Sequence, residues 1–246
     1  MAPENTLAAF GRALDDGADG IELDVRLARD GVPVVIHDAT LRRTGLTDGA
    51  IAQRTSRQLA ETSVGAWFNR TYPALARQEY GLEGVPTLEG VFQLLTKQKC
   101  VAYAELKTDG ESSVDELVYS VADLINRYEV HDRVVVVSFD LGAIAKTKAV
   151  DESLRTGALF APTRGAGKGG RTERIVAVAN DHGADELLLH RLIARPRLIR
   201  RAIDHHLRVV AWTVDDPVWV EHAERLGIHA LITNNPALFR QCLRES

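Results

Sequence analysis

From Thr87 onward the sequence alternates between short apolar runs rich in β-branched residues and amphipathic helical stretches, and this rhythm limits the fold more than any other feature. It predicts helix 87–96, strand 100–106, helix 114–127, strand 133–139, helix 141–149 and strand 156–160. Helix 172–182 then leads to strand 185–189, helix 196–206 to strand 208–214, and helix 217–226 to strand 229–233, with a closing helix near 236–244. Strands separated each time by a helix run parallel, because the crossover returns the chain to the same end of the sheet. A main strand at Ile21–Val25 joins these six, and a helix over Glu4–Asp16 precedes it. The expected fold is therefore α/β, a TIM (β/α)8-type barrel with its first β-strand missing, in one domain over residues 1–246. With seven strands the two flanking ones keep open edges unless they close on each other or on another chain, the second of which would give a homo-oligomer.

The stretch Asp19–Asp38 concentrates the chemistry. Two extended runs, Ile21–Leu27 and Val32–His37, are joined by a polar Arg29-Asp30-Gly31 turn. Alternate residues of a strand face the same way, so Glu22 and Asp24 share one face while Ile21, Leu23 and Val25 pack on the other. Two neighbouring carboxylates repel and call for a cation between them. Glu105 closes the apolar run Cys100–Leu106 in the same pattern. Three carboxylates from two strands suit a hard divalent cation, Mg²⁺ or Ca²⁺, better than zinc. With His37 nearby, a cation at this place points to hydrolytic or phosphoryl chemistry. The bland alternative is a solvated strand face with an ordinary histidine at its end.

Composition narrows the class of partner. Charged residues make up 26% of the chain and apolar ones 45%, values of an ordinary globular protein, and the net charge is −4. No general basic field exists to hold a nucleic acid. Cys100 and Cys242 are isolated, without metal-ligand spacing or a disulfide framework. No stretch has the length of a membrane span and no signal peptide opens the chain, so a cytoplasmic location is expected. Residues 39–84 form a long connection carrying a helical piece near Ser56–Thr62 and the aromatics Trp67, Phe68, Tyr72 and Tyr80. An insertion of this length usually has a role of its own.

An ordered set of motifs resembles the glycerophosphodiester phosphodiesterase family. The matching segments are Pro3-Glu4-Asn5-Thr6, Ile21-Glu22-Leu23-Asp24-Val25, Asp30 to Asp38, Thr40-Leu41, Val85 to Glu89, Glu105-Leu106-Lys107, Ser138-Phe139, Trp212-Thr213-Val214 and Thr233 to Pro236. Members of that family open with a strand ending in His-Arg-Gly, which supplies a catalytic histidine and a phosphate-binding arginine, whereas this chain begins Met1-Ala2-Pro3. A start codon set too late is the expected cause.

The resemblance implies metal-dependent hydrolysis of glycerophosphodiesters to glycerol 3-phosphate and an alcohol, impaired by loss of that histidine and arginine. It implies Glu22, Asp24 and Glu105 as ligands of a divalent metal ion, Mg²⁺ or Ca²⁺, and His37 as the remaining catalytic histidine. Lys107, Trp212 and Ser138 are the implied substrate-binding residues, and 39–84 becomes the insertion that shapes substrate choice. His190 is a further candidate, as a stand-in for the lost histidine. Arg164 and Lys168, in and beside the glycine-rich loop Gly165–Arg171, are candidates to meet substrate. The alternative is a non-catalytic relative that binds phosphodiesters or a protein partner.

Overall fold

The computed structural model describes residues 1–109, 113–162 and 171–245. They pack as two compact units, Met1–Val134 and Val135–Ser246.

In the first unit, helix α1 (Leu7–Asp15) starts three residues later than the sequence pattern predicts, because the Thr6 side chain caps it by accepting from the Ala9 N–H. Glu4 and Asn5 are thereby freed from the helix, and Asn5 takes a left-handed backbone with φ 54°. Strand β1 (Gly20–Leu27) follows and turns back into the short strand β2 (Pro33–Val35). The two pair antiparallel, Val25 with Val35 and Leu27 with Pro33, so β2 lies along the C-terminal half of β1. His37 falls beyond β2, not within a strand.

The connection 39–84 folds on itself. It holds α2 (Ser56–Ala60) and α3 (Ala66–Thr71), the second missed by the sequence pattern, with α2 closed by a capping box between Thr55 and Gln58. Phe68 stacks against Tyr72 and Tyr80 at centroid distances of 5.0 and 5.7 Å, which gives the lobe its own aromatic centre. Leu41, Ile51, Leu59, Val64 and Val85 join Val34 and Ile36 in one core cluster, tying the lobe to the β2 segment. Its last residue packs so closely on the end of α2 that a Cβ on Gly84 would stand 1.9 Å from the Ala60 carbonyl oxygen. Backbone cannot retreat as a flexible side chain can, so Gly84→Ala is expected to lower stability by about 1–3 kcal/mol. A urea transition with an unchanged midpoint would refute this.

Helix α4 (Leu88–Lys97), capped by Thr87, leads to β3 (Val101–Leu106), and α5 (Val114–Tyr128) ends the unit's regular elements. Strand β3 runs parallel to β1 with Glu22 beside Tyr103 and Asp24 beside Glu105. That register matters for the chemistry.

The second unit is a run of parallel strands: β4 (Val134–Ser138), β5 (Arg155–Phe160), β6 (Glu186–His190), β7 (Arg208–Trp212) and β8 (Ala230–Leu231). Between them come α6 (Leu141–Val150), α7 (Arg171–Asp181), α8 (Pro196–Asp204) and α9 (Val218–Leu226), and α10 (Pro236–Glu245) closes the chain. Strands β7 and β8 are shorter at their C-terminal ends than the apolar runs suggest. Backbone pairing runs a little beyond them, Val214 N–H to the Ile232 carbonyl at 2.9 Å, and Asp215 then gathers the Thr233 hydroxyl and the Asn234 amides in a side-chain-bonded turn. Leu187, Leu189, Val209 and Ala211 face the helices in one cluster with Ile199, Ala202 and Val176. Among the described residues no helix is long and apolar enough to cross a membrane.

Candidate active site

Strand parity explains how the first unit gathers its acids. Glu22, Asp24 and Arg26 alternate with the buried Leu23 and Val25 along β1, so all three project from the opposite face. The parallel register then brings Glu105 to the side of Asp24. Carboxylate oxygens of Glu22, Asp24 and Glu105 all lie within 4.8 Å of one another.

Lys107 answers part of this charge. Its backbone N–H extends the ladder to the Val25 carbonyl at 3.1 Å, and its Nζ sits 2.9 Å from Asp24 Oδ1 and 2.5 Å from Glu105 Oε1. Burial works against the Lys107 ammonium, but Asp24 and Glu105 outweigh it and hold its pKa above the ordinary lysine value. Burial, then repulsion from Asp24 and Glu105, pushes the Glu22 carboxyl well above the usual carboxylate range. Glu105 is raised as well, by burial that Lys107 and His37 only partly offset. One ammonium against three carboxylates leaves two negative charges when all are ionised, the charge of a single divalent cation. An all-oxygen donor set with this surplus fits Mg²⁺ or Ca²⁺.

A pH dependence follows from the sign of the Glu22 shift. The folded state binds the proton more tightly than the unfolded chain, whose carboxyl titrates near 4.5. Stability of metal-free protein is therefore present in full below that value and declines as pH rises through the folded pKa. Urea midpoints in chelator should fall as pH rises above the unfolded carboxyl value near 4.5, and saturating Mg²⁺ or Ca²⁺ should flatten the decline. A flat chelator series would count against the raised Glu22.

Residues that the sequence reading passed over hold this cluster in place. Asn5 donates from Nδ2 to Asp24 Oδ2 at 2.7 Å and accepts the Asp24 backbone N–H at 3.1 Å, which its left-handed backbone allows. The buried Arg26 donates twice to the His37 carbonyl, at 2.9 and 2.7 Å, and pairs with Asp109 at 2.8 Å. Parity alone could have placed Arg26 beside Glu22 and Asp24. The contacts of Asn5 required the helix start at Thr6, which the apolar pattern placed too early.

His37 ends a chain of ionic contacts. Its Nδ1 lies 2.7 Å from Asp38 Oδ1, and Arg43 bonds both Asp38 oxygens, Nε to Oδ2 at 2.7 Å and Nη2 to Oδ1 at 3.2 Å. The Arg43 guanidinium also forks onto Glu4, Nη1 to Oε2 at 2.7 Å and Nη2 to Oε1 at 2.6 Å. Arg43, aided by His37, holds the Asp38 carboxyl down to about 2.

The second unit places other expected residues at the C-terminal ends of its strands. Ser138 ends β4, is buried, and accepts the Asp140 N–H at 3.1 Å. Trp212 ends β7, in edge contact with Phe139 at 5.6 Å and with His190 at 5.0 Å. His190 accepts the Leu192 N–H at Nδ1, and burial followed by the charge of Arg191 lowers its pKa. A lowered value keeps the ring neutral. The expected loop residues Arg164 and Lys168 lie outside the described residues.

Comparison with known proteins places the chain first in a fold class and then in a family. A solved Silicibacter pomeroyi protein assigned to the glycerophosphoryl diester phosphodiesterases has a TM-score of 0.86 at 26% identity, over 100% of this chain and 90% of its own. An Oleispira antarctica phosphodiesterase, solved in complex with the product sn-glycerol-3-phosphate, scores 0.84 at 24% identity over 99% and 92% of the two chains. The chain has the α/β fold of the TIM-barrel class. A glycerophosphodiester phosphodiesterase of Caldanaerobacter subterraneus is 28% identical, over 99% of this chain and 93% of the relative. The model of the glycerophosphoryl diester phosphodiesterase family matches residues 1–238, and the chain belongs to that family.

Proposed function

We propose that this chain hydrolyses glycerophosphodiesters to glycerol 3-phosphate and an alcohol, with a divalent cation held by Glu22, Asp24 and Glu105. The observation that carries the reading is the three-carboxylate cluster with its surplus charge, beside a histidine clamped at its backbone by Arg26 and at its ring by Asp38. The Oleispira antarctica likeness, a phosphodiesterase with bound sn-glycerol-3-phosphate, supports the substrate class.

A bound Mg²⁺ or Ca²⁺ supplies Lewis-acid neutralisation of the phosphodiester and of the charge that grows on its oxygens. Lys107 balances Asp24 and Glu105 and adds a positive charge toward the phosphate. His37 accepts a proton at Nε2, because Nδ1 is engaged with Asp38. Trp212 and Ser138 are assigned to the substrate. The 246 residues contain no His-Arg-Gly tripeptide, so turnover by this chain is expected to fall below that of relatives that carry it.

The test is hydrolysis of glycerophosphocholine and glycerophosphoethanolamine with Mg²⁺ or Ca²⁺ and with chelator. Chelator-sensitive release of glycerol 3-phosphate supports the reading. Cation binding without any turnover would overturn it in favour of a phosphodiester-binding relative.

A further inference from the structure

Asp38 is ionised and can only accept hydrogen bonds, so the 2.7 Å contact with His37 requires the ring proton on Nδ1. An unconstrained neutral imidazole favours the opposite tautomer, with the proton on Nε2. Something must therefore hold Asp38 in register against a ring that is 53% exposed. Arg43 does so by taking both carboxylate oxygens, and Glu4 takes the other side of the same guanidinium in a two-point fork. The four residues come from two places in the chain, the segment before α1 and the segment after β2. One arginine joins them.

We propose that Arg43 and Glu4 are positioning residues that fix His37 as its Nδ1–H tautomer and leave Nε2 as the proton-accepting atom. Neither is a catalytic residue, since each acts through Asp38. The contribution to turnover rests on the reading of His37 as the proton-transfer group, but the tautomer itself does not.

The geometry also explains why the segment ahead of α1 leaves the helix. Thr6 caps the helix, which leaves the two residues before it free: Asn5 turns onto Asp24 and Glu4 reaches Arg43, so neighbouring residues bind two parts of one site. A Glu4 still inside the helical pattern would lose that reach.

Nitrogen-15 NMR of the His37 ring decides the matter, with the signal assigned from His37→Gln. At about pH 8.5, well above the ordinary histidine value near 6.5, the wild-type ring should carry its proton on Nδ1. Arg43→Ala should move the population toward Nε2–H, Glu4→Gln should do so to a lesser degree, and Arg43→Lys should fall between Arg43→Ala and the wild type, because an ammonium keeps the charge without the fork. In the same variants kcat should fall about 10- to 100-fold for Arg43→Ala with KM within about twofold, the scale typical of a lost orienting partner. Circular dichroism confirms folding, and Glu4→Gln serves if Arg43→Ala does not fold. A wild-type ring protonated on Nε2, or a tautomer unmoved in both variants, overturns the proposal. A shifted tautomer with unchanged kcat overturns its catalytic part. If the wild type turns nothing over, the phosphodiesterase reading fails while the tautomer series still gives its own answer.

Discussion

Asp24→Asn should lose measurable divalent-cation binding in calorimetry and, in the hydrolysis assay, about 10²- to 10³-fold in kcat, the scale of removing a preorganised electrostatic stabiliser. Asp24 stands where the supports of the carboxylate cluster meet. Asn5 holds one of its oxygens, Lys107 the other, and its backbone pairs with Glu105 across the parallel ladder. Asparagine keeps the shape and the strand register, so the change is one of charge. With Asp24 neutral, Lys107 leaves a surplus of one negative charge instead of two, and a divalent ion gains that much less. Both Asp24 oxygens face donors, so whichever way the new amide turns its nitrogen meets one of them, the Lys107 ammonium or the Asn5 Nδ2 amide. Cation affinity equal to wild type would refute the site; lost affinity with full turnover would refute the metal requirement.

Much of this is legible in the amino-acid sequence, and the reason is periodicity. A period of two along β1 fixed the common face of Glu22 and Asp24, and the helix–strand rhythm after Thr87 fixed parallel neighbours, which is what lets Glu105 meet Asp24. The supports were harder to read because their signals are local and irregular. Asn5 looked helical because Leu7 and Phe10 set a helical phase, whereas the Thr6 cap ends the helix before it. Arg43 lies 39 positions from Glu4 and 5 from Asp38 in a stretch without periodicity, so only the folded chain brings them together. Helix α3 was missed because Gly65 and Tyr72 leave six residues with no apolar period to find. After β7 and β8 the chain turns through side-chain bonds from Asp215 to Thr233 and Asn234, polar contacts that a hydrophobic pattern does not register.

His37→Gln should lower kcat about 10²- to 10⁴-fold, the range for losing a general acid or base, while cation affinity stays close to wild type. The two readouts separate because the ring and the carboxylate cluster are held by different side chains, Asp38 for the ring and Asn5 and Lys107 for the cluster. Arg26 grips the His37 main-chain carbonyl, a contact that glutamine keeps, so the backbone beside the cluster has no reason to move. Asp24 and Glu105 retain Lys107, and Asn5 retains Asp24. What glutamine removes is the ring nitrogen that takes the proton; its amide can still donate to Asp38 but cannot accept a proton at neutral pH. Cation affinity that collapses with kcat would instead make His37 part of the metal-holding structure, and turnover unchanged by the substitution would move the proton-accepting role away from it.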